Sequence, residues 1–424
     1  MRLPKLLAVL GVASVALAAC GSSTTGGTSI KGTIKIGIDL PVSFGDASDG
    51  QPTQNGAKLA IKQAGKVCGA SSHTDACFTL ASFPLDDATA AQNGHDPAQG
   101  AANVTQFVTD SAVLGMVGPF NSSVALAEIP IANTVALTMI SPANTNECLT
   151  QEPADGHCKG QAAKLRATGK NNYFRVCTTD LIQGPAAADF AYKKLGKKKV
   201  FVFNDQQTYG LGIAQNFAKQ FAADGGTVLN NSDLGGFDST STSDFHSALN
   251  RAKSLGADVV FFGGTTSDKG GQIRKQMAGI LDVPYVAGDG ISGNQFAKDA
   301  GANAANSYFT VAGPYPKTLP TAQSFDAAYK TEYGQDVGAY SAQAYDSANI
   351  IIAAISRAID DAGGNMPSRT QVTAQVAKTQ SFHGTIGTTS FDANGDTSLK
   401  IITVYQWTSA TDTGGTFVDQ VTVS

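Results

Sequence analysis

Five short polar segments each follow an apolar, strand-like run. They are Pro119-Phe120-Asn121-Ser122-Ser123, Pro142-Ala143-Asn144-Thr145, Asn204-Asp205-Gln206-Gln207-Thr208-Tyr209-Gly210, Gly263-Gly264-Thr265-Thr266 and Gly288-Asp289-Gly290. Ser122 and Ser123 open a helix, where hydroxyls and free N–H groups suit a carboxylate. Asp289 between two glycines lets backbone approach closely while one negative charge suits an ammonium. Thr145 can both donate and accept. Together these groups could read an α-amino acid zwitterion. Taken singly, a Ser-Ser pair is also a helix cap, a Gly-Asp-Gly is also a turn, and Tyr209 is also a packing residue. Their shared placement after strands supports a site better than any one of them does, because open parallel sheets bind ligands at the carboxyl ends of their strands.

Other chemistries find less support. Gly288-Asp289-Gly290-Ile291-Ser292-Gly293 matches a dinucleotide-binding glycine pattern, but Asp289 would set a negative charge beside a pyrophosphate, and no acidic residue ends a following strand at the expected distance. The chain has no G-x-S-x-G elbow, H-E-x-x-H or P-loop, and its 5 histidines are scattered. No enzyme activity, cofactor or metal is expected.

The elements that must position these residues alternate. Ile34, Ile36, Ile38 and Leu40 read as a strand, and 56–64 as its helix. Strands at 78–83, 113–118 and 137–141 alternate with helices at 97–108 and 124–133. After a polar break of about 30 residues, strands at 199–203, 227–229, 258–262 and 284–288 alternate with helices at 210–223, 244–255 and 268–280. A long helix at 339–360, a strand-then-turn at 390–395 and a strand at 399–407 follow. Repeated βα winding predicts an α/β protein with parallel sheets covered by helices, and the break predicts two lobes with the cleft between them. The lysines at 193, 194, 197, 198 and 199 flank Gly196 at a helix end, where they complement the helix dipole.

At the N-terminus, Arg2 and Lys5 precede an apolar run over residues 6–19 that ends Leu17-Ala18-Ala19-Cys20. The run is shorter than the roughly 20 residues a spanning helix needs. Small residues before a cysteine make a lipobox, so residues 1–19 read as a lipoprotein signal peptide and Cys20 as the lipid-bearing terminus. Residues 20–32 form an uncharged tether whose Gly/Ser-rich dozen spans roughly 20 Å. The net charge of −4 implies neither a nucleic acid nor an anionic surface as partner. Cys68 and Cys77 bracket one short polar loop, Cys148 and Cys158 another. Each pair fits a local disulfide in an oxidising compartment, metal binding being the other reading. Cys177, in an apolar run, reads as a buried free thiol.

With these residues assembled, the chain resembles the lipoprotein substrate-binding component of branched-chain amino acid ABC transporters, the leucine/isoleucine/valine-binding family. The similarity runs from about residue 34 to 407. It is carried by Asp86-Asp87 with Asp96-Pro97-Ala98-Gln99, Val117-Gly118 with Ser122-Ser123, and Ile140-Ser141-Pro142-Ala143-Asn144-Thr145. Phe174-Arg175 with Asp180-Leu181-Ile182-Gln183-Gly184, the segment 205–210, Ala344-Tyr345-Asp346 and Phe391-Asp392-Ala393-Asn394-Gly395-Asp396 complete the set.

The resemblance implies a type I periplasmic binding protein with two Rossmann-like lobes and three crossovers, 33–173 plus 311–391 and 174–310 plus 392–424. It implies a carboxylate on Ser122, Ser123 and nearby backbone, and an ammonium on Asp289, Thr145 and the Ala143 carbonyl. Tyr209 and Thr265 would line the second lobe's side, and Phe44 the side-chain pocket. Phe44-Gly45 stands where the family often has Tyr-Gly, Asn121 where some members carry a disulfide cysteine, and the long Cys148–Cys158 loop beside Thr145 is unusual. The implied function is capture of a small amino acid, branched-chain or otherwise aliphatic, for an ABC transporter permease, by a monomer held to the membrane through its lipid anchor. A ligand-sensing receptor subunit, or a binder of an amide, urea or aromatic acid, is the alternative.

Overall fold

The computed structural model describes residues 29–423 of the 424-residue chain. The expected signal peptide, the expected lipidation site Cys20 and most of the expected tether lie outside the described residues, and the tether's last residues, 29–32, belong instead to the strand Ser29–Asp39, paired with Ala76–Leu85. Among the described residues, no helix is long and apolar enough to cross a membrane.

Six strands form the first sheet, in the order Lys66–Cys68, Ala76–Leu85, Ser29–Asp39, Val113–Val117, Thr138–Ser141, Tyr173–Arg175. All run parallel except Lys66–Cys68, which pairs antiparallel with Ala76–Leu85. Cys68 and Cys77 face each other across that pair, with their sulfurs at bonding distance. The isoleucines at 34, 36 and 38 are fully buried, and Gly37 and Asp39 on the other face are buried too. A parallel strand covered on both faces behaves this way. One cover is the long helix Ser341–Asp361, whose Ile350, Ile351, Ile355 and Ile359 share a core with Ile36 and Ile38.

The second sheet has seven strands, in the order Thr227–Val228, Lys199–Asn204, Val259–Gly263, Tyr285–Ala287, Ser307–Val311, Ile401–Trp407, Thr416–Thr422. The first five are parallel, Ile401–Trp407 runs against them, and Thr416–Thr422 pairs antiparallel with Ile401–Trp407. The chain therefore passes between the sheets after Arg175, after Val311 and again before Ile401. The first sheet takes in Arg175, two residues past the expected boundary at 173, and Val311 belongs to the second.

Three elements differ from the sequence expectation. The first helix runs Ala47–Ala64 rather than 56–64. Gly50 and Pro52 argue against helix locally, but a Cβ at Gly50 would collide with the Pro41 carbonyl and one at Gly56 with that of Ser341. Tight tertiary packing overrides propensity there. The helix expected at 268–280 contracts to Gly270–Gln276, because residues 265–269 form a hydrogen-bonded turn instead. The stretch 390–395 contributes only an isolated bridge, Phe391 to Thr397, around a tight turn.

That turn is anchored by Arg175, which is fully buried. Its Nε meets Asp396 Oδ1 at 2.6 Å, its Nη1 donates to the carbonyls of Asn144 at 3.0 Å and Asn146 at 2.8 Å, and its Nη2 reaches Thr150 Oγ1. One guanidinium thus ties the first passage between the lobes to the third. Removing one partner of a buried pair leaves the other charge unpaired. Arg175→Met is expected to cost about 3–5 kcal/mol of unfolding free energy in urea denaturation; a loss under about 1 kcal/mol would show that the pair does not join the lobes.

Candidate functional site

Ser122 is the first residue of the helix Ser122–Asn133 and is buried. The loop before it presses on the first strand: Gly118 has a φ of 124°, and a Cβ there would collide with the Asp39 carbonyl. Ser141 Oγ donates to the Pro119 carbonyl at 2.7 Å and accepts from the N–H groups of Ala143 at 3.2 Å and Asn144 at 2.9 Å. Tyr173 donates to Asn144 Oδ1 at 2.6 Å. These bonds fix the segment carrying Ala143 and Thr145, both buried. Thr145 Oγ1 meets no partner in good hydrogen-bond geometry among the described residues, and its hydroxyl lies near the Asp180 carboxylate.

Asp289 lies in the second lobe and is 4% exposed. Tyr209 donates to its Oδ1 at 2.7 Å, Gln183 Nε2 to the same oxygen at 2.9 Å, and Tyr340 to Oδ2 at 2.6 Å. Burial raises the Asp289 carboxyl above the usual range, against the hydrogen bonds from Tyr340, Tyr209 and Gln183. Both neighbouring glycines are required: a Cβ at Gly288 would strike the Tyr209 hydroxyl, and one at Gly290 the Gly264 carbonyl. Phe120 of the first lobe packs edge-on against Tyr340 at 5.6 Å between ring centres.

A second polar cluster spans the lobes beside this carboxylate. His95 Nδ1 lies 2.7 Å from Asp46 Oδ2, and His95 Nε2 lies 2.9 Å from Gln207 Oε1 on the opposite lobe. Ser123 Oγ donates to the same Gln207 oxygen at 3.2 Å, and Gln207 Nε2 donates to Asp268 Oδ1 at 2.8 Å. Thr265 donates to Asp268 Oδ2 at 2.7 Å. Burial favours a neutral His95, but the charge and hydrogen bond of Asp46 overcome it and push the imidazolium up to about 10. Burial opposes ionisation of Asp46 as well, yet the His95 charge holds it below the usual carboxylate range. Nearby, Ser292 donates across the cleft to Asp49 Oδ1 at 2.7 Å, and burial raises Asp49 to about 8.

The structure thus joins Tyr209 directly to Asp289. It sets Ser123 and Thr265 on the interlobe cluster, with Ser122, Ala143 and Thr145 on the fixed loops of the first lobe. Phe44 stands apart: it is 49% exposed, has a φ of 57°, and has no ring contact with Phe120, Tyr209 or Tyr340. The backbone turns at Phe44 so that Gly45 and Asp46, rather than the ring, approach the second lobe. Sequence reading missed Gln183, Tyr340, Asp46, His95 and Gln207 as parts of the site. Gln183 and Gln207 were visible in segments already singled out. Tyr340 lies on the return to the first lobe, more than fifty residues from Asp289, and carried no local signal. The sulfurs of Cys148 and Cys158 are at bonding distance, and Cys177 is a buried free thiol.

Two α/β lobes, joined by three chain passages and facing each other across a polar cleft with one caged carboxylate, define a bilobal solute-binding protein. The family model described as periplasmic binding protein matches residues 33–413, and the chain belongs to that family. Members of the family bind solutes outside the cytoplasm and are not enzymes.

Among curated relatives, the Leu/Ile/Val-binding protein homolog 1 of Brucella suis is 26% identical over 412 residues, covering 97% of this chain and 98% of the relative. The leucine-, isoleucine-, valine-, threonine-, and alanine-binding protein of Pseudomonas aeruginosa is 26% identical over 406 residues, covering 96% and 95%. The leucine binding protein LivK of Thermotoga maritima superposes with a TM-score of 0.76 at 27% identity, covering 92% of this chain and 99% of that one. LivJ of Streptococcus pneumoniae, in complex with isoleucine, gives a TM-score of 0.72 at 26% identity, covering 91% and 99%.

The His95–Asp46 pair generates a pH dependence. A histidine raised from about 6.5 unfolded stabilises the fold fully below that pH and loses the contribution as pH rises towards 10. Asp49 pushes the same way only up to about pH 8. Between pH 8 and pH 9.5, this pair is therefore expected to lower stability by about 2 kcal/mol in chemical denaturation, so that His95→Gln loses about 2 kcal/mol less over that range than the unaltered protein. Equal slopes for both proteins would remove the ion pair from the account.

Proposed function

We propose that this chain captures a small α-amino acid between its lobes and delivers it to the permease of an ABC transporter. The observation that carries the reading is Asp289: a buried carboxylate caged by neutral donors, at the meeting of two lobes, with no side-chain cation among the described residues bonded to it. Such a group is suited to a ligand cation. In this reading Ser122, Ser123 and the N–H groups of their helix take the carboxylate of the amino acid. Asp289, the Thr145 hydroxyl and the Ala143 carbonyl take the ammonium. Tyr209 and Thr265 supply the second lobe's wall, and Phe120 and Tyr340 an aromatic boundary for the side chain. The names of the relatives, together with the bound isoleucine of LivJ, support a branched-chain or other aliphatic side chain. Lipidation at Cys20, with residues 20–28 as a tether ahead of the strand Ser29–Asp39, would keep the lobes near their permease.

A thermal-shift screen over amino acids, amides, urea and aromatic acids tests the reading. An aliphatic amino acid at 100-fold its dissociation constant is expected to add roughly 2.7 kcal/mol of stability. A shift with benzoate or urea and none with any amino acid would overturn the proposal. In calorimetry, Asp289→Ala is expected to weaken binding roughly 30-fold or more, since losing one partner of a desolvated pair costs about 2–5 kcal/mol. Unchanged affinity would move the ammonium site elsewhere.

A further inference from the structure

Three lysines of the second lobe gather at one groove. Lys269 ends the turn that precedes the helix Gly270–Gln276, Lys275 lies on that helix, and Lys298 lies on the helix Asn294–Ala300. All three line a polar groove of about 640 Å³, together with Ser267, Gln272 and, from the first lobe, Asn93. Among the described residues, none of the three ammonium groups makes a hydrogen bond or an ion pair, whereas surface lysines elsewhere, such as Lys62, Lys193 and Lys219, each meet an acid. One carboxylate, Asp299, faces all three, and its hydrogen bond comes from Gln295 instead. His246, also on the groove, lies 2.6 Å from Asp244. The groove therefore carries an excess of positive charge that the chain itself does not neutralise.

Both lobes build it. The Gly45 N–H donates to the Asn93 carbonyl at 2.9 Å. A Cβ at Gly45 would lie 2.8 Å from that carbonyl oxygen and 2.9 Å from Ser267 Cβ, and one at Gly94 would lie 2.7 Å from Ser267 Cβ. Residues 45, 94 and 267 thus meet where the lobes touch, and parting the lobes takes Asn93 away from the lysines. Phe44, one residue before Gly45, stands exposed at the same rim. Phe44, Asn93 and Lys269 all have left-handed backbones, with φ of 57°, 52° and 78°. Phenylalanine and lysine seldom adopt that conformation, and glycine would do so at less cost. Aromatic side chains are enriched at protein interfaces, and unpaired cations complement an acidic partner. The amides of Asn93 and Gln272 can both donate and accept, as a peptide backbone requires.

We propose that this rim is a docking surface for an acidic segment of the permease, whose carboxylates meet Lys269, Lys275 and Lys298 while an apolar neighbour meets Phe44. The inference rests on the transport reading above and names the chemistry of the partner. Phe44 and Asn93 come from one lobe and the lysines from the other, so the surface is whole only when the lobes are shut. Docking favours the shut form, and by linkage the partner and the captured solute strengthen each other's binding.

The test uses the cognate permease and its ATPase subunits in nanodiscs, the binding protein saturated with the strongest amino acid of the thermal screen, and the ATPase rate as readout. The triple variant Lys269→Glu, Lys275→Glu, Lys298→Glu is expected to bind the amino acid in calorimetry as the unaltered protein does. It is expected to need at least roughly tenfold more protein for half-maximal ATPase stimulation, because like charges then face each other. Phe44→Ala is expected to raise that concentration roughly fivefold. Reversing Lys193, Lys194 and Lys197 instead is expected to leave it unmoved. Raising salt from about 0.05 M to about 0.5 M is expected to weaken stimulation by the unaltered protein far more than by the triple variant. Undiminished stimulation by the triple variant would overturn the proposal. Binding of the unaltered protein, but not of the triple variant, to permease-free phosphatidylglycerol vesicles would overturn it in favour of a lipid surface. Failure of every amino acid to bind, or of the permease to respond to the loaded protein at all, would instead overturn the functional reading beneath it. Should the triple variant not fold, Lys275→Glu and Lys298→Glu, both at exposed positions, decide singly.

Discussion

Burying the Asp289 carboxylate away from water costs several kcal/mol unless other donors replace its hydration. Three neutral donors do so, and they come from three distant pieces of chain: Gln183 on the helix after the first lobe crossing, Tyr209 on the helix Thr208–Ala223, and Tyr340 on the return to the first lobe. Donors without charge keep the carboxylate soluble in the protein without cancelling it. An arginine or lysine in any of these places would have made a closed ion pair with nothing left to offer. The surrounding architecture follows from this requirement. The strand Tyr285–Ala287 must end at Gly288 so that Tyr209 can approach, and Gly290 must yield to the Gly264 carbonyl so that the loop can fold over.

Apart from Phe120 and Ala143, which border the second lobe's apolar cluster, the contacts that bring the lobes together are of a different kind. His95 with Gln207, Ser123 with Gln207, Asp49 with Ser292, Glu147 with Asn216 and Asp155 with Lys219 are all polar. The net stability of such a bond is small, because water offers nearly as good a partner when the lobes part. A wide apolar seam would hold the lobes shut. A seam of polar pairs lets the lobes part at small net cost. The Cys148–Cys158 loop belongs to this seam: Glu147 and Asp155, gathered around His157, both reach the helix that carries Tyr209.

Alternating isoleucines at 34, 36 and 38, and polar loops following apolar runs, made the α/β winding and the strand-end site legible in the sequence, since both depend on local pattern. Asp289, Tyr209, Thr145 and Ser122 could be singled out because each follows a strand. The cage around Asp289 could not be read the same way. Gln183 and Tyr340 reach it only through the crossovers, and nothing near Tyr340 in sequence differs from an ordinary helix start. Phe44 shows the opposite failure. Its place in the loop matched an expected pocket residue, but a left-handed backbone turns the ring to solvent and brings Gly45 and Asp46 inward. The early start of the helix Ala47–Ala64 was hidden for a related reason: Gly50 and Gly56 weaken a helix by propensity, and here they are what lets one backbone lie against another.

The interleaving of the two lobes along the chain also governs when each can be finished. The second sheet needs Ile401–Trp407 beside Ser307–Val311, and the first lobe's core needs Ser341–Asp361 beneath strands made three hundred residues earlier. A chain emerging from its N-terminus can complete neither lobe until nearly all of it has appeared. Its early strands can be covered on one face by the helices Pro97–Thr109 and Ser122–Asn133, but the other face must wait for partners at the far end. For a chain of this design, neither lobe is closed over its core until the last crossover has been made.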